Sequence, residues 1–162
     1  MSATADSLTR HRLDYLLIPC FLLGIVNSLV LSLPESLGVA VSPDSPWPPL
    51  RSLYSWAVEQ EPQHLVMPPT LQASLLYDAF VQSALLAVLT VALWRRRSWP
   101  WLRTVALVYA VSALMNMYFY FMQTFLGPAS PPDLGTYLPF NIPWAVVPLL
   151  VAYRFSSSAM RD

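Results

Sequence analysis

The chain has 162 residues, 56% of them hydrophobic and 11% charged, with a mean hydropathy of +0.48. Soluble domains carry about 25% charged residues, so this composition excludes an ordinary soluble domain and fits a membrane protein. Nine basic residues, all Arg, balance nine acidic ones to a net charge of zero, a balance that points away from a nucleic-acid partner.

Four apolar stretches reach the roughly 20 residues needed to span a bilayer: about 13–33, 70–93, 101–126 and 136–153. They predict an all-α membrane protein, four transmembrane helices in a bundle, forming a single domain over 1–162. A cleaved signal peptide is an alternative for the first stretch. Its apolar run exceeds the usual core of about 7–15 residues, and no small-x-small cleavage site follows it. The lone Cys20 cannot form an internal disulfide and reads as a small buried hydrophobe.

The connection from Pro34 to Pro69 is rich in proline and acids: Glu35, Asp44, Glu59 and Glu61. Within it Leu50, Leu53, Tyr54, Ala57 and Val58 share a helical face, which predicts a short amphipathic helix capping the bundle or lying at the interface. Between stretches two and three, Arg95, Arg96, Arg97 and Arg103 surround a short turn. Arg10 and Arg12 precede stretch one, and Arg154 and Arg161 follow stretch four. Only Arg51 falls on the opposite side, so the positive-inside rule places both termini in the cytosol and the capping loop on the lumenal face. Trp94, Trp99, Trp101 and Tyr153 read as interface aromatics. The second opposite-side connection, 127–135, is a proline-rich turn.

Polar residues inside the spans carry the functional reading. Asp78 lies ~12 Å below the lumenal start of its helix, counting 1.5 Å per residue. An Asp near a helix centre costs about 2.5 to 3.5 kcal/mol to insert, so it marks a functional site by default. Gln82 follows it one turn deeper, and Asn27, Ser28 and Ser32 lie near the lumenal end of span one. Ser112, Asn116, Tyr120 and Gln123 recur at helical spacing in span three, and Asn141 and Trp144 share a face of span four. These groups line one pocket, or else serve as interhelical hydrogen bonds worth about 0.6 kcal/mol each. Pro19, Pro143 and Pro148 interrupt their spans and are expected to bend them.

Two segments carry a resemblance. Tyr77-Asp78-Ala79-Phe80-Val81-Gln82 is similar to the sigma-2 receptor's Glu-Leu-Val-Phe-Gln, with Asp78 for Glu. Asn141-Ile142-Pro143-Trp144 with Pro148 is similar to the Asn-x-x-Trp and following Pro of the sterol Δ8–Δ7 isomerase. Glu61-Pro62 resembles the acidic-Pro step in the receptor's loop. Taken over about 13–155, the chain resembles the EXPERA-domain proteins, which include the emopamil-binding protein (that isomerase) and the sigma-2 receptor. It departs from them on span one, where Gly24 and Ser28 stand at the isomerase's His and Glu positions and Ser32 at the receptor's Asp.

The resemblance implies an endoplasmic reticulum membrane protein with a hydrophobic lipid ligand, and a possible homodimer. No retention signal is evident at 159–162. An apolar surround disfavours a charged carboxyl group, so Asp78 is the candidate general acid for protonating a sterol or terpenoid alkene or epoxide. Trp144 offers an aromatic face to the resulting cation, and Asn141, or else Asn116 or Tyr120, orients Asp78 or accepts a hydrogen bond from the substrate. Glu61, Gln82, Asn116, Tyr120, Asn27 and Ser28 are the candidate substrate-binding residues. The expected activity is an isomerase or protonation-initiated cyclase; the alternative is a non-catalytic sterol or lipid binder of the sigma-2 type. A four-helix scaffold with no small ligand is a third reading. No cofactor or metal is called for: His11 and His64 lie far apart and outside the spans, no Gly-rich phosphate loop occurs, and no nucleophile elbow is present.

Overall fold

The computed structural model of the protein describes residues 3–95, 99–127, 129, 131 and 133–156, with side chains from residue 12 onward. Arg96, Arg97, Arg161, the 159–162 stretch, the side chains of Arg10 and His11, and three residues of the 127–135 turn lie outside this set.

Helix α1 (Ala3–Asn27) passes through a π turn, Ser28–Ser32, into α2 (Leu33–Ser36). The long connection holds α3 (Pro48–Glu59) and α4 (Gln63–Val66). Helix α5 (Pro69–Tyr77) passes through a second π turn, Asp78–Gln82, into α6 (Ser83–Trp94), and α7 (Leu102–Leu126) and α8 (Leu134–Ser156) follow. No strand occurs among the described residues. Four helical stretches are long and apolar enough to cross a membrane: Arg12–Ser36, Pro69–Trp94, Leu102–Leu126 and Leu134–Ser156. They are called spans one to four below. Helices satisfy their own backbone groups, which hydrocarbon cannot do for them.

The spans form a ring. Helix α1 packs on α6, α5 and α6 on α7, α7 on α8, and α8 back on α1. At the Arg-rich end the Arg154 guanidinium closes the ring onto Asp14, Nε to Oδ1 at 2.7 Å and Nη2 to Oδ2 at 3.1 Å. This half is filled by Leu17, Phe21, Leu89, Leu102, Val151 and Phe155, while Ala106 and Ala113 let α7 approach its neighbours closely. Toward the opposite end, which carries the long connection, the apolar filling gives way to polar side chains and an internal cavity.

Three expectations need correction. Span one does not end near residue 33 but continues through Ser36, so Glu35 is a helix residue and 1% exposed rather than a loop acid. The helix survives Pro34 because the π turn and a side chain take up the disrupted bonding. The Val30 carbonyl, four residues before the proline, meets no N–H at position 34; the Trp47 indole N–H donates to it at 2.7 Å. Helix α3 forms as predicted and rests on Leu50 and Ala57, but Val58 is 46% exposed and lies off that face. Pro19, Pro143 and Pro148 do not interrupt their helices, which run on as α1 and α8. The irregular backbone lies instead at the two π turns, where Leu33 N–H bonds Ser28 O and Ser83 N–H bonds Asp78 O. These turns pack against each other, and such bulges recur at functional sites.

Candidate functional site

A cavity of about 300 Å³ opens between the π turns, beneath α3 and α4. All nine residues expected at a site line it: Asp78, Trp144, Asn141, Glu61, Gln82, Asn116, Tyr120, Asn27 and Ser28. The polar stripe of span three divides, with Asn116 and Tyr120 facing inward. Ser112 bonds its own helix at the Val108 and Tyr109 carbonyls and, with Gln123, lines an outer groove.

Two polar centres occupy the cavity. At the first, the Asn116 amide donates from Nδ2 to Asp78 Oδ1 at 2.8 Å. Ser74, one turn before Asp78, donates its hydroxyl to Asn116 Oδ1 at 2.8 Å. One amide of span three thus bridges two positions of span two, and the bridge fixes which way that amide points. Asp78 has no ion pair among the described residues.

The second centre is ionic. His64 Nδ1 lies 2.6 Å from Glu35 Oε1, and its Nε2 lies 3.3 Å from Glu61 Oε2 and 3.1 Å from the Tyr120 hydroxyl. Each ring nitrogen faces a carboxylate oxygen, so both donate and the ring is an imidazolium. Burial opposes that charge, but hydrogen bonds to Glu35 and Glu61 outweigh it and raise the His64 pKa to about 9. Burial likewise opposes the Glu61 charge; the hydrogen bond and positive charge of His64, with the Asn141 amide, hold its carboxyl below the usual carboxylate range. Asn141 donates from Nδ2 to Glu61 Oε1 at 2.6 Å, so both Glu61 oxygens are engaged. Two carboxylates around one imidazolium leave this centre with a net charge of minus one.

Aromatic walls complete the cavity. Trp144 lines it from span four, and Trp56 meets Phe140 edge-on with ring centroids 4.5 Å apart. Gly24 is buried where span two approaches most closely: a Cβ there would lie 2.9 Å from Leu86 Cδ1 and 3.7 Å from the Trp144 ring. A larger residue at position 24 would press on Leu86 and crowd the indole.

Sequence reasoning missed Glu35 and His64. A signal for Glu35 was present: Ser28, Ser32 and Glu35 follow one helical face at spacings of four and three, but Pro34 read as a stop. Glu61 and His64 are also i, i+3, hidden by a Pro-rich context that read as loop. Among the described residues no group of three or more His, Cys, Asp or Glu side chains is arranged to hold a metal ion.

A model of one protein family matches residues 49–155: EXPERA, the expanded EBP superfamily. The chain belongs to the EXPERA family. No curated protein matches it. The family match begins after span one, so it covers less than the 13–155 expected from the motifs. The EXPERA region supplies α3 to α8 and with them Glu61, His64, Asp78, Asn116, Asn141 and Trp144. Span one, outside the match, supplies Asn27, Ser28 and Glu35. Family membership supports a membrane protein of the sterol-isomerase or sterol-binding type, with a hydrophobic lipid as its ligand.

Proposed function

We propose that residues 1–162 form one membrane domain that isomerises or cyclises a sterol or terpenoid lipid by protonating it at Asp78. The observation that carries this reading is the pairing of two unlike acid centres in one aromatic-walled cavity: Asp78, held by an amide alone, and Glu35–His64–Glu61, held as ions. Environments that separate the behaviour of titratable groups mark acid and base roles.

In the proposed step Asp78 gives its proton to one carbon of an alkene, or to an epoxide oxygen as the C–O bond breaks. The substrate becomes a carbocation and Asp78 a carboxylate. The Trp144 face and the negative ionic centre stabilise the cation. Loss of a proton from a neighbouring carbon to the Asp78 carboxylate forms the new double bond and restores the acid. Asn116 orients Asp78, and Asn141 holds Glu61. The His and second carboxylate expected at Gly24 and Ser28 are supplied, in this reading, by His64 from the loop and Glu35 from the end of span one. The distribution of Arg supports cytosolic termini, and the family supports the endoplasmic reticulum as location and a homodimer as assembly.

The test uses microsomes holding wild type, Asp78→Asn or Trp144→Ala, incubated with sterol and polyprenyl substrates in deuterated water and read by mass spectrometry. Rearranged product from wild type and not from Asp78→Asn, carrying deuterium on carbon where an alkene is the group protonated, supports the acid role. The second reading, a non-catalytic lipid binder, is favoured by one observation: Glu61 is fully tied by Asn141 and His64, as a structural ion would be. Lipid retained by all three proteins with no rearranged product from any would establish it instead.

A further inference from the structure

Outside the bundle, between spans two and three, lies a second space of about 780 Å³, an apolar groove open to the bilayer side. Its walls include Val111, Met115, Phe119 and Met122. At the end nearest the long connection, Thr70 donates a hydrogen bond to Gln123 across the groove. Leu126 and Gly127 continue the lining beyond that pair, and Val111, Met115 and Phe119 are exposed on the outer side of span three.

The groove and the inner cavity share two lining residues, Ser74 and Asn116. These are the two that orient Asp78. At this point of the α5–α7 interface one hydrogen-bonded pair of side chains reaches both spaces. Volume gives the second argument. The cavity lies at the bottom of the range of about 300–1,000 Å³ that small-ligand pockets span. It admits the reacting end of a sterol or long terpenoid and not its whole length, whereas the two spaces together reach the top of that range. Methionine walls adapt to apolar chains of varied shape.

We infer that the groove between spans two and three holds the apolar tail of the lipid whose reacting end sits in the cavity, with the Ser74–Asn116 pair as the sill over which the molecule lies. The substrate then arrives sideways from the bilayer, tail last, and meets Asp78 where it crosses the sill. A length preference follows: the groove rewards isoprenoid chains too long for the cavity. This inference rests on the lipid-substrate reading of the same site.

The experiment uses the full chain in lipid nanodiscs with two photoactivatable isoprenyl epoxides carrying a diazirine at the tail, one geranyl and one geranylgeranyl, and locates the label by peptide mass spectrometry. The long probe should label Met115, Phe119 and Met122. In Met115→Trp, and independently in Val111→Trp, the ratio of long-probe to short-probe labelling should fall about tenfold, since an indole there takes the space of the tail and removes its packing contacts. Both probes are read in one sample, so a variant that folds poorly lowers both and leaves the ratio to decide. An unchanged ratio, or long-probe label elsewhere while the wild type still turns lipid over, overturns this inference alone. A shift from dimer to monomer in these variants, with the ratio unchanged, assigns the groove to a second copy and overturns it too. Failure of either probe to label the wild type anywhere brings down the lipid-substrate reading along with it.

Discussion

Asp78 and His64 are both buried ionisable side chains in one cavity, and they differ in what holds them. Asp78 accepts from an amide; replacing it with Asn keeps an acceptor for Asn116 and removes the proton. Proton transfer by a positioned group contributes about 10²–10⁴-fold, so Asp78→Asn should lower deuterium incorporation by at least about 10²-fold while the thermal midpoint in detergent barely moves. His64 behaves differently. Its pKa is raised in the folded protein to about 9 from an ordinary 6.5. The stability it contributes is therefore fully present below the ordinary value and is lost as pH rises through about 9. Wild-type melting temperature should fall between neutral pH and that point, and His64→Gln should flatten the fall; an unchanged slope would mean that the ring is not an imidazolium. Asp78, Asn141 and Trp144 were legible in the sequence because a polar or aromatic group stands out against an apolar run. Glu35 and His64 were not, since their roles depend on a helix outlasting a proline and a loop folding inward, and the prolines beside them masked the helical spacing each has with its neighbours.

At the level of single elements, both the terminus of span one and the loop above it depend on Trp47. Its indole satisfies the Val30 carbonyl that Pro34 leaves without a helical donor. An orphaned backbone acceptor costs about 1–3 kcal/mol, and Trp47→Phe should lower stability by that amount while keeping the ring. The diagnostic is limited proteolysis: the 37–46 segment should become cleavable well below the global melting temperature, whereas a merely local packing defect would leave it protected. Helix existence was legible at this scale, from apolar length for the spans and from i, i+3, i+4 spacing for α3. Helix ends and irregularities were not. Prolines drew attention to the wrong places, because α1 and α8 pass through theirs while the π turns at Ser28–Ser32 and Asp78–Gln82 contain none.

Across the whole molecule, the two ends have different duties. The Arg-rich half packs apolar side chains and is tied by Arg154 to Asp14 between spans four and one. The pair is 14% and 16% exposed, between surface bridges worth about 0–1 kcal/mol and buried ones whose breakage costs about 3–5. Arg154→Ala should therefore destabilise by about 1–3 kcal/mol and leave lipid turnover intact in the folded fraction. The reversed pair Asp14→Arg with Arg154→Asp should recover part of that loss, as measured by melting in one detergent. The overall bundle was legible because hydrocarbon allows few solutions to a chain with four apolar runs. The cavity was only half legible, since its ionic centre and the groups bonded to it are spread along the chain from Glu35 to Asn141.

That separation has a consequence for biogenesis. Chains are made from the N-terminus and fold roughly in that order. Glu35 emerges before His64, His64 before Tyr120, and Asn141 last of all. Until span four arrives, Glu61 lacks its amide donor, and until α4 folds inward, Glu35 lacks its counter-ion. A nascent chain halted before span four would hold the acids of a site it cannot yet close; the ionic centre is complete only once span four has joined the bundle.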